Sequence, residues 1–153
     1  MMQDPTDLVA TLDLGPLEGL VGYHLRRASA TLRSDYARAL GDTGVRQVLF
    51  GVLSVISVNP EVNQGSVARA LGIQRPNMVA LVNELVGRGL VARHVDATDR
   101  RAFALNLTEM GAAAVGEALA RIRVHEERIL RDLTGEERRL LIGLLDRFGA
   151  NGD

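Results

Sequence analysis

Helix-breaking residues divide the middle of this chain into short pieces, and this limits the folds that the chain can adopt. One helical segment must stop at Asn59-Pro60, because proline restricts the residue before it and cannot continue a helix. The next segment, Gln64 to Leu71, has room for about two turns before Gly72 breaks it. Pro76 then stands in the first turn of a further helix, where proline is tolerated. The sequence therefore predicts two short helices that are joined by a tight turn.

A β-hairpin is predicted directly after the second short helix. That helix is expected from about Arg75 to Val86 and is ended by Gly87-Arg88-Gly89. The segment Leu90 to His94 is short and partly apolar, which favours a strand. Residues 102–107 alternate with the period of a half-buried strand. The core-facing side of that strand is expected to carry Phe103, Leu105 and Leu107.

Long apolar stripes predict further helices on both sides of this central unit. A stripe from Leu17 to Leu40 has helical spacing with Gly41 as its terminator, and Val48 to Ile56 looks like a buried helix. Thr108 is expected to cap a long helix, and Thr134 with Glu137 has the spacing of a capping box for the last one. A chain of 153 residues is long enough for one domain with few internal partners for these stripes. Burial against a second copy of the chain would cover them.

Composition excludes several classes of function. The chain has no cysteine, so it has no disulfide, thiolate zinc site, cysteine nucleophile or thiol switch. Its three histidines fall in separate predicted elements without metal-ligand spacing, so we expect no enzyme, no metal and no cofactor. No apolar run approaches the length of a membrane span, and the start of the chain is acidic where a signal peptide would be basic. A cytoplasmic protein without a membrane partner is expected.

Charge is distributed unevenly along the chain. The formal net charge is -1, yet the segment from Val62 to Leu107 carries six arginines against three acidic residues. A basic segment within an acidic frame indicates an anionic partner for that segment.

The start of the second short helix has the side chains that read DNA bases. It begins Gln74-Arg75-Pro76-Asn77-Met78, and a helix of this kind fits the major groove. Gln and Asn can pair with adenine, Arg can pair with guanine, and Met can contact a thymine methyl group. Taken alone, the segment fits a plain polar helix start equally well.

The predicted hairpin carries two guanidinium groups at its tip, in the sequence Asp99-Arg100-Arg101. One arginine can enter the minor groove while the other meets a phosphate, and Asp99 can hold an arginine in a fixed orientation. A solvated charge run on a loop is the alternative. The neighbouring helix-turn-helix pattern favours DNA contact.

The segment from Val67 to Gly111 resembles the winged helix-turn-helix of the MarR transcription regulators. Three signals occur in the family's order: Arg88-Gly89-Leu90-Val91, then Asp99-Arg100-Arg101, then Leu107-Thr108 with Gly111 after it. The flanking helices also fit. The resemblance implies a mainly α fold with a small β-wing, in one domain over residues 1–153. Helices in 14–42 and 108–149 would form a homodimer, and a winged helix-turn-helix in 45–107 would bind a palindromic operator.

The resemblance also assigns roles to individual residues. The base-reading positions at the start of the family's recognition helix match Gln74, Arg75, Asn77 and Met78. Arg101 matches the wing arginine that enters the minor groove, with Asp99 as its orienting partner and Arg100 near the backbone. Arg46 departs from the pattern, because family members often carry a Ser or Thr cap there.

The N-terminal segment is similar to a branch of the family that controls the catabolism of aromatic acids. The similarity lies in Leu14-Gly15-Pro16-Leu17 and in residues 20–28. It implies an aromatic acid or its CoA thioester as effector, with Tyr23 and His24 lining the pocket and Arg26 or Arg27 meeting a carboxylate or phosphate. The alternative is a core tyrosine, a structural histidine and a solvated arginine pair.

These observations predict a homodimeric repressor of transcription that a small ligand releases from DNA. The alternative is a helical dimer that binds another protein and not DNA. The two differ in salt dependence, because neutralising phosphates costs affinity steeply between about 50 and 200 mM salt.

Overall fold

A computed structural model describes residues 12–98 and 103–149 of the chain. The chain divides into two compact units, residues 1–34 and 35–153. The described part of the first unit contains a 3-10 helix, Gly15–Gly19, and the beginning of helix α1, Val21–Leu40. The Gly15 N–H donates to Asp13 Oδ1 at 2.7 Å, which fixes the entry to the 3-10 helix.

The second unit contains the winged helix-turn-helix. After the end of α1 and a 3-10 turn, its elements are α2 (Gln47–Val58), β1 (Val62–Asn63), α3 (Gln64–Ala70), α4 (Arg75–Gly87), β2 (Val91–Val95), β3 (Phe103–Leu107), α5 (Glu109–Ile129) and α6 (Gly135–Gly149). The predicted fold class, mainly α with a small β-wing, is confirmed.

The three strands form one antiparallel sheet in the order β1-β3-β2. Strand β2 pairs with β3 from Val91 opposite Leu107 to Val95 opposite Phe103. The sequence did not predict β1, because two residues are too short to show a strand period. The prediction that Phe103, Leu105 and Leu107 form the core-facing side of β3 is correct only in part. Leu105 is fully buried and Leu107 half-buried, but Phe103 is 42% exposed since it lies at the end of β3 away from α5.

Helix α2 lies at the centre of the hydrophobic core, as its continuous apolar sequence predicted. Leu49, Val52 and Leu53 have no exposed surface, and Ile56 has almost none. The other buried members of this core come from the surrounding elements: Val45, Val67, Ala68, Met78, Leu81, Val82, Leu85, Leu90, Val91 and Leu105. The core of the winged unit is therefore built around α2.

Both predicted helix caps are present. The Thr108 hydroxyl accepts from the Gly111 N–H at 3.0 Å and donates to the Gly89 carbonyl at 2.6 Å. The Glu137 carboxylate accepts from the Thr134 N–H at 2.7 Å, while the Glu137 N–H donates to the Thr134 hydroxyl at 3.3 Å. The hydrogen bond from the Thr134 N–H, and then one from the Thr134 hydroxyl at 2.9 Å, lower the pKa of the Glu137 carboxylate. Helix α1 ends at Leu40, directly before its predicted terminator Gly41, which begins the 3-10 turn Gly41–Thr43.

Polar contacts join the end of α1 to α5 within the second unit. Asp35 is buried and accepts from Arg128 Nη2 at 3.4 Å. The Tyr36 hydroxyl donates to Glu126 Oε1 at 2.9 Å. Burial, then this hydrogen bond and the charge of Glu126, raise the pKa of Tyr36 to about 12.

In the part of the chain that the structure describes, no single helix is long and apolar enough to cross a membrane. Val21–Thr43 and Gln47–Val58 pass that test only as a pair, bent by 74°.

A methyl group at Gly111 is expected to destabilise the fold. A Cβ atom there would lie 2.0 Å from the Leu90 carbonyl oxygen, so the backbone must shift. We expect Gly111→Ala to lower the free energy of unfolding by about 1–3 kcal/mol, the usual range for overpacking. Urea unfolding at fixed protomer concentration measures it. Gly116→Ala on the same helix is the control, because a Cβ there meets nothing within 4 Å. It should gain up to about 1 kcal/mol from helix propensity, and equal stability of the two variants would contradict the prediction.

The hydroxyl of Tyr36 is expected to stay protonated well above the ordinary tyrosine range, with a pKa of about 12. The stability that this raised pKa contributes is fully present below pH 10 and is lost as the pH rises through about 12. Glu126→Gln should lower the pKa, since it removes a negative charge and a strong acceptor. Absorbance titration of the tyrosinate in a Tyr23→Phe background measures Tyr36 alone, because the chain has two tyrosines. An unchanged pKa in Glu126→Gln would disprove the assignment.

Candidate nucleic-acid interface

Helices α3 and α4 form the helix-turn-helix predicted from the sequence. The Asn63 side chain caps α3 by accepting from the Ser66 N–H at 2.8 Å. The turn then passes through Gly72, whose φ of 63° is one that glycine adopts without strain. The Ile73 N–H closes the turn on the Ala68 carbonyl at 2.9 Å. This local geometry fixes the point at which α4 begins.

The start of α4 presents polar side chains to solvent. Gln74 is the N-cap, and Gln74, Arg75 and Asn77 are all exposed. Gln74 and Asn77 line a groove together with Arg46 and Glu84. Three of the four residues predicted to read bases are therefore accessible to DNA.

Met78 is the exception, and the predicted contact between Met78 and a thymine methyl group is wrong. Its side chain has no exposed surface and packs in the core around α2. The helical period explains the error: Met78, Leu81, Val82 and Leu85 form the inner face of α4. The adjacent Val79 is 44% exposed and lies one turn after Arg75 on the same face. Sequence reasoning missed Val79, although the spacing of the inner-face residues would have identified it.

The departure at Arg46 has a structural explanation. Arg46 is the N-cap of α2, and its side chain makes no capping hydrogen bond. The guanidinium instead forms an ion pair with Glu84 of α4. Arg88 lies 3.8 Å from the same carboxylate and donates to the Gly44 carbonyl at 2.8 Å. These contacts hold α4 to the beginning of α2.

The predicted wing residues Asp99, Arg100 and Arg101 lie outside the described residues. The strands that lead to them are described up to Thr98 and from Phe103 onward. Asp96 Oδ1 accepts from both the N–H and the hydroxyl of Thr98 at 2.7 Å, which starts a turn at this point.

A cluster of polar side chains, Glu61, His94 and Asn106, forms hydrogen bonds between parts of the sheet. Glu61 has a φ of 62°, and its N–H donates to Asn106 Oδ1 at 2.9 Å. Its carboxylate accepts from the Asn106 amide and lies 2.6 Å from His94 Nε2. The hydrogen bond from Asn106, then that from His94, lowers the pKa of Glu61. The cluster ties the turn before β1 to both other strands.

The structure brings together the four residues predicted to bind a ligand. They lie on the first turns of α1 in the first unit. The guanidinium carbons of Arg26 and Arg27 lie 5.6 and 5.7 Å from the centre of the Tyr23 ring. His24 Nε2 is 2.9 Å from the Glu18 carbonyl oxygen, and its ring meets Tyr23 edge-on. Among the described residues there is no group of three or more histidine or acidic side chains able to hold a metal ion.

Comparison with known proteins gives concordant matches. Residues 46–102 match the sequence profile of the MarR family. A protein of Thauera aromatica, assigned as transcriptional regulator for the hcr operon, is 35% identical over 141 residues, which cover 92% of this chain and 85% of the relative. The chain belongs to the MarR family. It is therefore a winged helix-turn-helix transcription regulator and not an enzyme.

Solved structures of a family member, the transcriptional repressor CouR, have the same fold. The structure of CouR bound to a 23-mer DNA duplex has a TM-score of 0.85 and 34% identity, covering 90% of this chain and 98% of that one. CouR bound to p-coumaroyl-CoA has a TM-score of 0.80 and 32% identity, covering 92% and 99%. MarR regulators are homodimers, so the predicted family, fold and homodimeric state are confirmed.

Neighbouring positions on α4 are expected to respond differently to truncation. Met78→Ala should lower the free energy of unfolding by about 2–5 kcal/mol, because it leaves a cavity in the core. Val79→Ala should change it by no more than about 0.5 kcal/mol, the usual limit for a surface position. Urea unfolding of both variants at one protomer concentration measures the difference. Equal losses would mean that Met78 is not a core residue.

Proposed function

We propose that this protein is a repressor that binds a palindromic operator as a homodimer and is released by an aromatic acid or its CoA thioester. The observation that carries the proposal is the exposed start of α4, where Gln74, Arg75 and Asn77 project from a helix whose inner face is buried. A helix anchored in this way can enter the major groove without disturbing the core.

The two copies of the helix-turn-helix would read two half-sites. Half-sites one helical turn apart are separated by about 34–36 Å, so a dimer must hold its two α4 helices at that spacing. The apolar side chains of α6 are exposed in the single chain and supply a surface for the second copy: Leu140, Leu141, Ile142, Leu144, Leu145 and Phe148. Burial of such a surface is a strong driving force for association.

The proposed base contacts are those of Gln74, Arg75 and Asn77, with Val79 in the place first given to Met78. Valine offers a thymine methyl group an apolar surface of the right kind, and Val79 is exposed on the outer side of α4. Arg101 would enter the minor groove, oriented by Asp99, while Arg100 meets the backbone. The protein would act in the cytoplasm.

The proposed ligand class is supported by the CouR complex with p-coumaroyl-CoA and by the cluster at the start of α1. Arg26 and Arg27 place two positive charges beside the Tyr23 ring, which suits a ligand that combines anionic groups with an aromatic ring. Bound ligand would favour a dimer whose α4 helices no longer match the half-sites.

Fluorescence anisotropy tests the repressor proposal directly. The purified protein is titrated onto the duplex upstream of its own gene and onto a scrambled duplex, at two salt concentrations, with and without aromatic acids and their CoA thioesters. We expect salt-sensitive binding that prefers the native sequence and is released by a member of the panel. Absence of binding to both duplexes at low salt would overturn the proposal. Arg26→Ala with Arg27→Ala should weaken release by the ligand while operator binding remains.

Single-residue contacts are tested by changing one residue of α4 and one residue of the predicted wing. Asn77→Ala should relax discrimination at one base pair by about 1–3 kcal/mol, whereas a uniform loss would indicate a backbone contact. Arg101→Ala should weaken operator binding and leave the dimer intact, and equal affinity would disprove the wing contact.

The contact of Val79 is tested by replacing each thymine of the operator with uracil, which removes only the methyl group. One such replacement should weaken the wild-type protein and leave Val79→Ala unaffected. Additive losses at every position would exclude the contact.

A further inference from the structure

Arg93 connects the DNA-reading helix with the wing. It lies in the middle of β2, opposite Leu105 of β3. Its Nη1 donates to Asn83 Oδ1 of α4 at 2.8 Å. Its guanidinium carbon also lies 4.8 Å from the centre of the Phe103 ring. A single side chain thus contacts α4 and β3 from the strand between them.

The two partners of Arg93 stand at informative positions. Asn83 is exposed on α4, one turn after Val79 and two turns after Arg75, on the outer side of the helix. Phe103 is the first residue of β3 and follows Arg101 by two residues in the sequence. The contact therefore runs from the outer side of the recognition helix to the base of the wing.

The chemistry of arginine suits this double contact. A guanidinium is planar, so one edge can donate a hydrogen bond while its face lies against an aromatic ring. Lysine has a compact ammonium without that plane and cannot make both contacts in this way. The hydrogen bond to Asn83 is exposed and Phe103 is only partly buried, so the pair adds little to the stability of the fold.

We infer that Arg93 is a positioning residue that fixes the wing against α4, so that the major-groove and wing contacts of the operator form together. The inference rests on the proposed function for its effect on DNA binding. A preset angle strengthens binding because the two elements need not be ordered when DNA arrives. The competing explanation is that Arg93 contacts a phosphate with its charge.

Operator affinity measured over a series of salt concentrations separates the two explanations. Asn83→Ala removes the partner but no charge, and Arg93→Met removes the guanidinium. We expect each to weaken binding about three- to ten-fold, and the double variant to bind no more weakly than Arg93→Met. The slope of affinity against salt should stay at the wild-type value in all three. Arg93→Lys should also weaken binding although it keeps the charge. Arg123→Met, which removes an exposed arginine from α5, is the control and should bind like wild type.

Additive losses, or wild-type affinity of Asn83→Ala, would overturn the inference. A salt slope that falls by about one charge in Arg93→Met alone would assign Arg93 to a phosphate instead.

A measurement without DNA keeps the inference independent of the repressor proposal. Hydrogen exchange of the β2 and β3 amides reports how firmly the wing is held. It should become faster in Asn83→Ala and in Arg93→Met, and remain at the wild-type rate in Arg123→Met. Asn83→Asp keeps an acceptor oxygen and should restore slow exchange. Unchanged exchange in Asn83→Ala would overturn the inference. If exchange responds as expected but wild type shows no operator preference, the positioning role stands and the repressor proposal fails.

Discussion

The burial of one face of α4 in the hydrophobic core that it shares with α2, α3 and the sheet is the interaction on which the rest of the structure depends. Met78, Val82 and Leu85 are withdrawn completely from solvent, and Leu81 nearly so. Burying a side chain of this size contributes about 1.5–3 kcal/mol. Since successive residues of a helix are 100° apart, this burial also sets the direction of every other side chain on α4. The exposure of Arg75, Asn77 and Val79 is thus a consequence of core packing.

Polar contacts adjust this arrangement without supplying much of its stability. The ion pair of Arg46 with Glu84 and the contacts of Arg93 lie at the surface, where an ion pair contributes about 0–1 kcal/mol. Their value is directional. Arg46 and Arg88 connect Glu84 of α4 to the start of α2, and Arg93 of β2 contacts the neighbouring Asn83. A regulator that shifts between two spacings of its recognition helices needs such units to move as rigid bodies.

The amphipathic faces left open in the single chain have a different role. Helix α6 buries none of its large apolar side chains within the chain, although its cap is complete. In a homodimeric family this apolar face is suited to the second copy. The first unit, with arginines around Tyr23, is the part of the chain that we propose binds a ligand. In this proposal, DNA reading, dimerisation and ligand binding fall on different segments of one short chain.

The sequence by itself determined the order of the elements and the chemistry available to them. Proline and glycine destabilise the interior of a helix. Pro60 and Gly72 therefore placed the ends of α2 and α3, and Pro76 the start of α4, to within a residue or two. Thr108 and Thr134 marked helix starts because local hydrogen bonds decide caps. The motifs of the wing also identified the family from the sequence, because the residues of each motif are contiguous.

Only the tertiary structure decided which side of each element faces the core. Met78 and Val79 are both apolar, and helical spacing from Leu81, Val82 and Leu85 favours Met78 as the inner residue; the packing of α4 into the core buries Met78 and exposes Val79. Strand β1 exists only because β3 provides hydrogen-bond partners for its two residues. The links from Arg93 to Asn83 and Phe103, and from Arg46 to Glu84, join residues distant in sequence. Such contacts depend on where the folded backbone places each side chain, and no local pattern encodes that.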